Sequence, residues 1–407
     1  MKLPLILDGA TGTMLQAAGM PSGVCTEQWV LGHPEVLQNI QRAYAAAGSD
    51  AVYAPTFGAN SFKLACYGLA GQAAEMNRSL TAVSRGAVGP DVLVGGDIAP
   101  TGKFIAPMGD TSFEELVAVY TEQARALEEA GVDFFAIETT MTMPEARAAM
   151  LAIKSVSSKP VFATFTVNEQ GRTLTGTDAL AALTVMQAMG ADAFGFNCST
   201  GPAAMLEQLQ RLTPHTRVPL IAKPNAGLPE TVDGKTVYRC SPAEFTALVP
   251  QMWESGVRMF GGCCGTTPEH IAALKAAVSA MPSADEYVRP AEVALATEKD
   301  AFFFDEIDIE DRVDIACGED LLDDLLDAEE DDATFIHLTV DSEEALESFA
   351  EYQYAVKKPL ILSAPAARLL EGALRLYQGV ALCEAGVIPD GDLKRLAKTY
   401  ASEILEI

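Results

Sequence analysis

Along the first 280 residues one pattern of apolar and polar positions repeats. A short apolar run gives way to a loop of polar or glycine residues, and a longer stretch with helical spacing follows. The runs are Pro4–Gly9, Ala51–Phe57, Val92–Ile98, Phe134–Thr139, Val161–Thr166, Ala193–Cys198, Pro219–Pro224 and Arg258–Cys263. They are nearly continuous in apolar character, as parallel strands covered on both faces must be. Helical stretches lie between them: Glu35–Ala47, Ser112–Ala130, Asp178–Met189 and Pro242–Ser255. Each ends at a glycine that stands just before the next run, the punctuation of a βα repeat. Eight such units predict a (β/α)8 TIM barrel. An open doubly wound sheet is the alternative, but no G-x-G-x-x-G opens the first helix.

Beyond His270 the pattern changes. A helix to about Met281 leads into a proline-flanked linker, and shorter α/β alternation resumes. Strands are expected at Ala333–Val340, Pro359–Ser363 and Val380–Cys383, with helices at Ser342–Val356, Ala366–Tyr377 and Asp390–Glu406. The expected organisation is a barrel over 1–282, a linker over 283–300 and a small α/β module over 301–407.

Charge sharpens this division. The formal net charge is −28, yet residues 1–280 carry only −7 while residues 301–350 carry −18, with Arg312 as their one basic residue. So acidic a surface repels nucleic acid and anionic membranes. The acidic block is read as a solvated face or as a platform for a basic partner. No signal-like or membrane-spanning apolar run is present, so a soluble, cytoplasmic protein is expected. Eight cysteines in that setting point to free thiols or metal ligands.

In a TIM barrel, chemistry gathers at the C-terminal ends of the strands. Asp8, Thr56, Asp97, Glu138, Asn197, Cys198, Asn225, Cys263 and Cys264 stand there. Cys263 and Cys264 lie in the glycine-rich turn Gly261-Gly262-Cys263-Cys264-Gly265. Adjacent residues on a strand point to opposite faces, so both thiols converge only where glycines break the strand. Runs six and eight are of the same parity, which places Cys198 where it can meet them. Three thiolates and an open fourth position describe a zinc site; the alternative is small buried residues. Glu138 closes an apolar run, as a substrate-ammonium ligand or as a solvated rim residue. The glycines after Asp8 suit close approach of a ligand or a simple turn. His33, His215, His270 and His337 have no metal spacing, and Cys25, Cys66, Cys240, Cys317 and Cys383 are scattered singly.

The motifs LDGATGTML at the start, Gly195-Phe196-Asn197-Cys198-Ser199 and Gly261-Gly262-Cys263-Cys264-Gly265-Thr266 resemble those of the homocysteine S-methyltransferase family, over essentially all of residues 1–280. The resemblance implies zinc on Cys198, Cys263 and Cys264, with Asp8, Gly9, Glu138 and Asn197 holding the amino-acid end of homocysteine. Further stretches, including Gly109–Leu116, Arg172–Thr177 and Lys223–Gly227, are similar to the homocysteine-binding domain of cobalamin-dependent methionine synthases. Betaine-using relatives carry a tyrosine where this chain has Gly58. No histidine here stands in the Asp-x-His-x-x-Gly pattern of cobalamin modules. Cobalamin is therefore expected only on a separate partner chain, with a methyl-corrinoid protein or a methylfolate-linked system as methyl donor. The stretch Lys358–Ser363 with Ala373–Glu384 resembles part of the folate-binding barrel of the same enzymes, so the tail reads as a remnant of one. Two alternatives stand beside this reading: an S-methylmethionine-dependent methyltransferase, and a non-catalytic metal-binding relative.

Overall fold

A computed structural model describes residues 2–232, 235–282, 292–384 and 386–405. Eight parallel strands form one curled sheet: β1 (Leu5–Ile6), β2 (Ala51–Ala54), β3 (Leu93–Ile98), β4 (Phe134–Thr140), β5 (Val161–Phe165), β6 (Ala193–Asn197), β7 (Leu220–Lys223) and β8 (Val257–Phe260). Their order is β1-β8-β7-β6-β5-β4-β3-β2, so the first strand returns beside the last. An open doubly wound sheet does not do this; the architecture is the TIM barrel.

The seam between β1 and β2 is closed by few bonds. The Asp50 amide donates to the Ile6 carbonyl at 2.6 Å, and the Asp50 carboxylate accepts from the Ile6 amide at 2.8 Å. Two residues further on, the Asp8 carboxylate accepts from the Tyr53 amide at 2.8 Å. Side chains here replace part of a ladder that a two-residue strand is too short to supply.

Inside the barrel, Leu5, Leu7, Tyr53, Phe134, Ala136, Phe162, Ile221 and Met259 pack against one another. The intervening positions pack outward on the helices, as a period of two demands. Helix α1 (Phe113–Glu129) starts at a capping box formed by Ser112 and Glu115, and Gly131 after it adopts φ 76° on the way into β4. Helix α2 (Met143–Val156) is capped by Thr142, and helix α3 (Ala179–Ala188) by Asp178. The expected single helix over Pro242–Ser255 is two short ones, Pro242–Thr246 and Val249–Glu254. Pro250, with no amide proton to donate, stands in the first turn of the second.

The tail sheet has five parallel strands in sequence order: β9 (Arg312–Ala316), β10 (Phe335–Thr339), β11 (Leu360–Ser363), β12 (Leu382–Glu384) and β13 (Glu403–Leu405). Two of these depart from the sequence expectation. Strand β9 lies inside the acidic block, and the final helix stops at Tyr400, where Ala401 turns left-handed at φ 58° and β13 begins. Part of the expected linker, residues 283–291, lies outside the described residues. Val293–Ala296 and Ala301–Phe304 form an antiparallel hairpin.

This hairpin and helix α4 (Ala367–Leu376) dock on the barrel. The Asp178 amide donates to the Lys299 carbonyl at 2.8 Å. The guanidinium of Arg147, on α2, donates to the carbonyls of Leu374 and Gly379 at 3.0 and 3.2 Å. Helix α2 is accordingly buried from Met143 through Ile153. Among the described residues no helix is long and apolar enough to cross a membrane.

Candidate functional site

The strand alternation that fills the barrel also chooses what projects at its mouth. Continuing the inward positions two residues at a time, β4 reaches Glu138 after Phe134 and Ala136, and β7 reaches Lys223 after Ile221. By the same count β6 reaches Asn197, β3 reaches Asp97, and β8 reaches Gly261 and then Cys263. Glu138, Lys223, Asp97 and Cys263 line one cavity of about 290 Å³, together with Asp8, Gly9, Glu27, Tyr53, Cys198 and Cys264. That is the small end of the range for ligand pockets.

The thiols meet because the backbone breaks at two strand ends. Thr139, Cys198 and Ser199 all sit in the left-handed region, with φ between 58° and 60°. Left-handed backbone is costly for residues with a Cβ and persists where surroundings fix it. Asn197 is part of that fixing. Its side chain accepts from the Thr139 amide at 2.9 Å and donates to Thr139 Oγ1 at 2.8 Å. The Cys198 amide donates to the Lys223 carbonyl at 3.2 Å, and the Cys263 amide to the Pro224 carbonyl at 2.9 Å. Thr266 closes the second turn, donating from Oγ1 to the Cys263 carbonyl at 2.8 Å while accepting from the Ala10 amide at 3.0 Å. A Cβ on Gly262 would lie 2.3 Å from Thr266 Oγ1, so glycine is required there.

The three sulfur atoms lie within 4.8 Å of one another. Cys198 Sγ is 2.6 Å from Cys263 Sγ and 3.8 Å from Cys264 Sγ. A tetrahedral zinc with ~2.3 Å Zn–S bonds spaces its sulfurs about 3.8 Å apart. The Cys198–Cys264 edge has that length, and the Cys198–Cys263 edge would open by about 1 Å. S–H donation from Cys198 and Cys263 pushes the Cys264 thiol down to about 3, aided by the Tyr238 hydroxyl. Cys263 is held well above the ordinary thiol value, first by its contact with Cys198. A bound cation favours the thiolate form of all three. The donor set fits zinc.

The carboxylates of the cavity are unequally partnered. Lys223 is 3% exposed, its Nζ 2.6 Å from Glu138 Oε1 and 3.7 Å from Asp8 Oδ1. The ammonium also stands 3.7 Å from the centre of the Tyr53 ring. Burial works against its charge, but Glu138, Tyr53 and Asp8 outweigh burial and hold its pKa above the usual lysine value. Burial pushes Asp8 up to about 6 against the pull of Lys223. Asp97 is held well above the carboxylate range, by burial first and by Glu138 next.

The structure therefore brings Cys198, Cys263, Cys264, Asp8, Gly9 and Glu138 onto one cavity, with Asn197 beside it, bonded to the lining residue Thr139; Thr56 and Asn225 do not line it. Glu138 differs from expectation in one respect: its carboxylate already holds an ammonium, that of Lys223. The sequence reading passed over Lys223 as a candidate, although a lysine closing an apolar run two residues past Ile221 was the available signal. Tyr238 left no such trace, since it comes from the loop between β7 and β8. His270 lies outside the cavity lining and holds a turn: it accepts from the Thr267 amide and reaches the Cys240 carbonyl at 2.9 Å.

The family model for homocysteine S-methyltransferase matches residues 5–278. The chain belongs to the homocysteine S-methyltransferase family. Among curated relatives, the methionine synthase of Mycobacterium tuberculosis (strain ATCC 25618 / H37Rv) is 36% identical over 293 residues, covering 68% of this chain and 24% of that protein. The methionine synthase of Mycobacterium leprae (strain TN) is 35% identical over the same shares. The chain thus spans about a quarter of the length of these relatives. Among solved structures, the metallated form of the homocysteine methyltransferase MmuM from Escherichia coli superposes with a TM-score of 0.58 at 26% identity, covering 67% of this chain and 95% of that one. The family match lies on the barrel.

Proposed function

We propose that this chain transfers a methyl group to the thiol of homocysteine, forming methionine, with zinc held by Cys198, Cys263 and Cys264 and with a methylated corrinoid protein as donor. The observation that carries the reading is the convergence of three thiols on the wall of a cavity whose other wall is built of carboxylates and one buried ammonium. One side of such a cavity suits a sulfur, and the other suits the zwitterionic end of an amino acid. Family membership and the methionine synthase relatives point the same way.

Zinc, when bound, would supply a Lewis acid that lowers the pKa of the substrate thiol from its ordinary ~8.5, so that it reacts as a thiolate. The chain's own residues hold and orient the acceptor. Asp8, Gly9 and Glu138 line the wall that receives the amino-acid end, and Asn197 supports it through Thr139. Gly9 matters by its lack of a side chain, since a Cβ there would lie 2.8 Å from Thr266 Oγ1 and from the Tyr44 ring. Asn197, bonded to Thr139, sits with its amide nitrogen 3.9 Å from Cys263 Sγ and fixes the turn that presents Cys198. Holding the thiolate in line with an incoming methyl group is the remaining task. The choice of a methyl-corrinoid donor rests on the likeness of the barrel to methionine synthases.

The test has two arms. Metal analysis of wild type should give one zinc per chain, and the Cys263→Ala, Cys264→Ala double variant should retain none; stoichiometric zinc in that variant would overturn the ligand set. The wild type is then offered methyl-corrinoid protein, methylcobalamin, S-methylmethionine and betaine, with homocysteine as acceptor. Methionine formed fastest from the corrinoid protein supports the partner reading. Equal rates from S-methylmethionine alone would replace it with a self-sufficient donor.

A further inference from the structure

A second cavity, of about 380 Å³, lies where the barrel meets the tail. Helix α3 and the segment before β7 form one side of it. The first hairpin strand, the final helix (Asp390–Tyr400) and β13 form the other. The space exists because the apolar side chains at this junction are small, chiefly alanines. Three charged side chains reach it: Arg217, Lys398 and Glu403.

Acids outnumber bases in this chain by 56 to 28, so a base ordinarily finds a carboxylate. On the final helix Arg395 does so, with Glu371 at 3.4 Å and Asp392 at 3.9 Å. Lys398, one turn further on, has no ion pair among the described residues. Neither has Arg217. Its guanidinium donates to the Glu292 carbonyl at 2.6 Å, while the Glu292 carboxylate is turned to His215 at 2.7 Å. Gln187 fixes the backbone there, accepting from the Arg217 amide at 2.9 Å. A half-buried guanidinium has five N–H donors, so most of the fork is left for another acceptor. Glu403 is unpaired as well, and the three side chains leave the wall with a net charge of +1.

We propose that this cavity binds a small oxyanion, the phosphate or carboxylate group of a metabolite, with Arg217 as the main ligand and Lys398 at its open edge. The planar fork of arginine matches two oxygens of either group. The site shares no residue with the cavity at the barrel mouth. An anion held here touches barrel and tail at once.

The experiment is calorimetry on the full chain with inorganic phosphate and, separately, acetate, at constant ionic strength set with chloride. One saturable site for at least one of them is expected, and the tighter of the two assigns the class of group. Arg217→Gln should weaken binding about 10- to 100-fold, the scale of a charged hydrogen bond. Lys398→Gln, at an exposed position, should weaken it about 2- to 5-fold, and Glu403→Gln should tighten it by a similar factor. These two variants keep the test alive should Arg217→Gln fail to fold. The Cys263→Ala, Cys264→Ala variant should bind the anion as wild type does; loss of binding there would put the anion on zinc and overturn the site. Saturation should also slow deuterium uptake at the Ser402 and Glu403 amides. No saturable binding of either anion, or affinities unchanged in the folded variants, overturns the proposal.

Discussion

Between Ile221 and Pro224 the inward-facing position falls on a lysine, and this one residue reorganises the reading of the site. From the sequence, Glu138 looked like a carboxylate waiting for a substrate; in the fold it is the counter-ion of Lys223. The strand positions of both were legible, but their pairing joins residues 85 apart in sequence, which no local pattern encodes. The three cysteines were legible for the opposite reason: they stand in two short motifs, and barrel parity alone puts these on one rim. The buried acids have a measurable signature. Folded Asp8, with its pKa near 6 against 3.8 ordinarily, binds its proton more tightly than the unfolded chain does. The resulting stability is fully present below the unfolded value and is lost as pH rises through about 6. For metal-free protein, chemical denaturation at pH 4.5 and pH 7 should show Asp8→Asn losing about 2 kcal/mol less than wild type over that interval. Equal losses would mean that Asp8 is not perturbed.

At the scale of elements, the strands of the barrel were readable because each is an apolar run ending in a polar residue. The tail was read less completely. Strand β9 contributes Val313 and Ile315 to one face, but Arg312 and Asp314 on its other face break the apolar signal. Helix α2 shows what sequence could not convey. Its arginine, Arg147, is fully buried, and it donates to the Leu374 carbonyl in the last turn of α4 and to the Gly379 carbonyl just beyond it. A second arginine crosses the same junction nearer the surface, where Arg375 meets Glu114 at 2.6 and 2.8 Å, the arginine half-buried and the glutamate exposed. Burial decides between them. Arg147→Ala orphans two carbonyls and should destabilise the chain by about 3 kcal/mol. Arg375→Ala removes an exposed pair and should cost under about 1 kcal/mol. Urea denaturation of the two variants checks the ranking, and equal effects would contradict it.

For the molecule as a whole, the uneven charge visible in the sequence becomes an uneven surface. Acids of the helix Leu321–Glu330 point outward while Leu321, Leu325 and Ala328 face the core, so most of that charge is solvated. The barrel is a ring with one thin joint. Its β1–β2 seam depends on side-chain carboxylates, and one of them, Asp8, also lines the cavity. Whatever fills the cavity therefore presses on the joint as well. Tyr53 gives that linkage a reporter, because its backbone amide is held by Asp8. On binding homocysteine, deuterium uptake at the Tyr53 amide should slow together with uptake at the Asp50 amide across the same joint, while strands on the far side of the ring keep their rates. The ligand would then act as a rivet, and the lifetime of the closed ring would be a property of the occupied site.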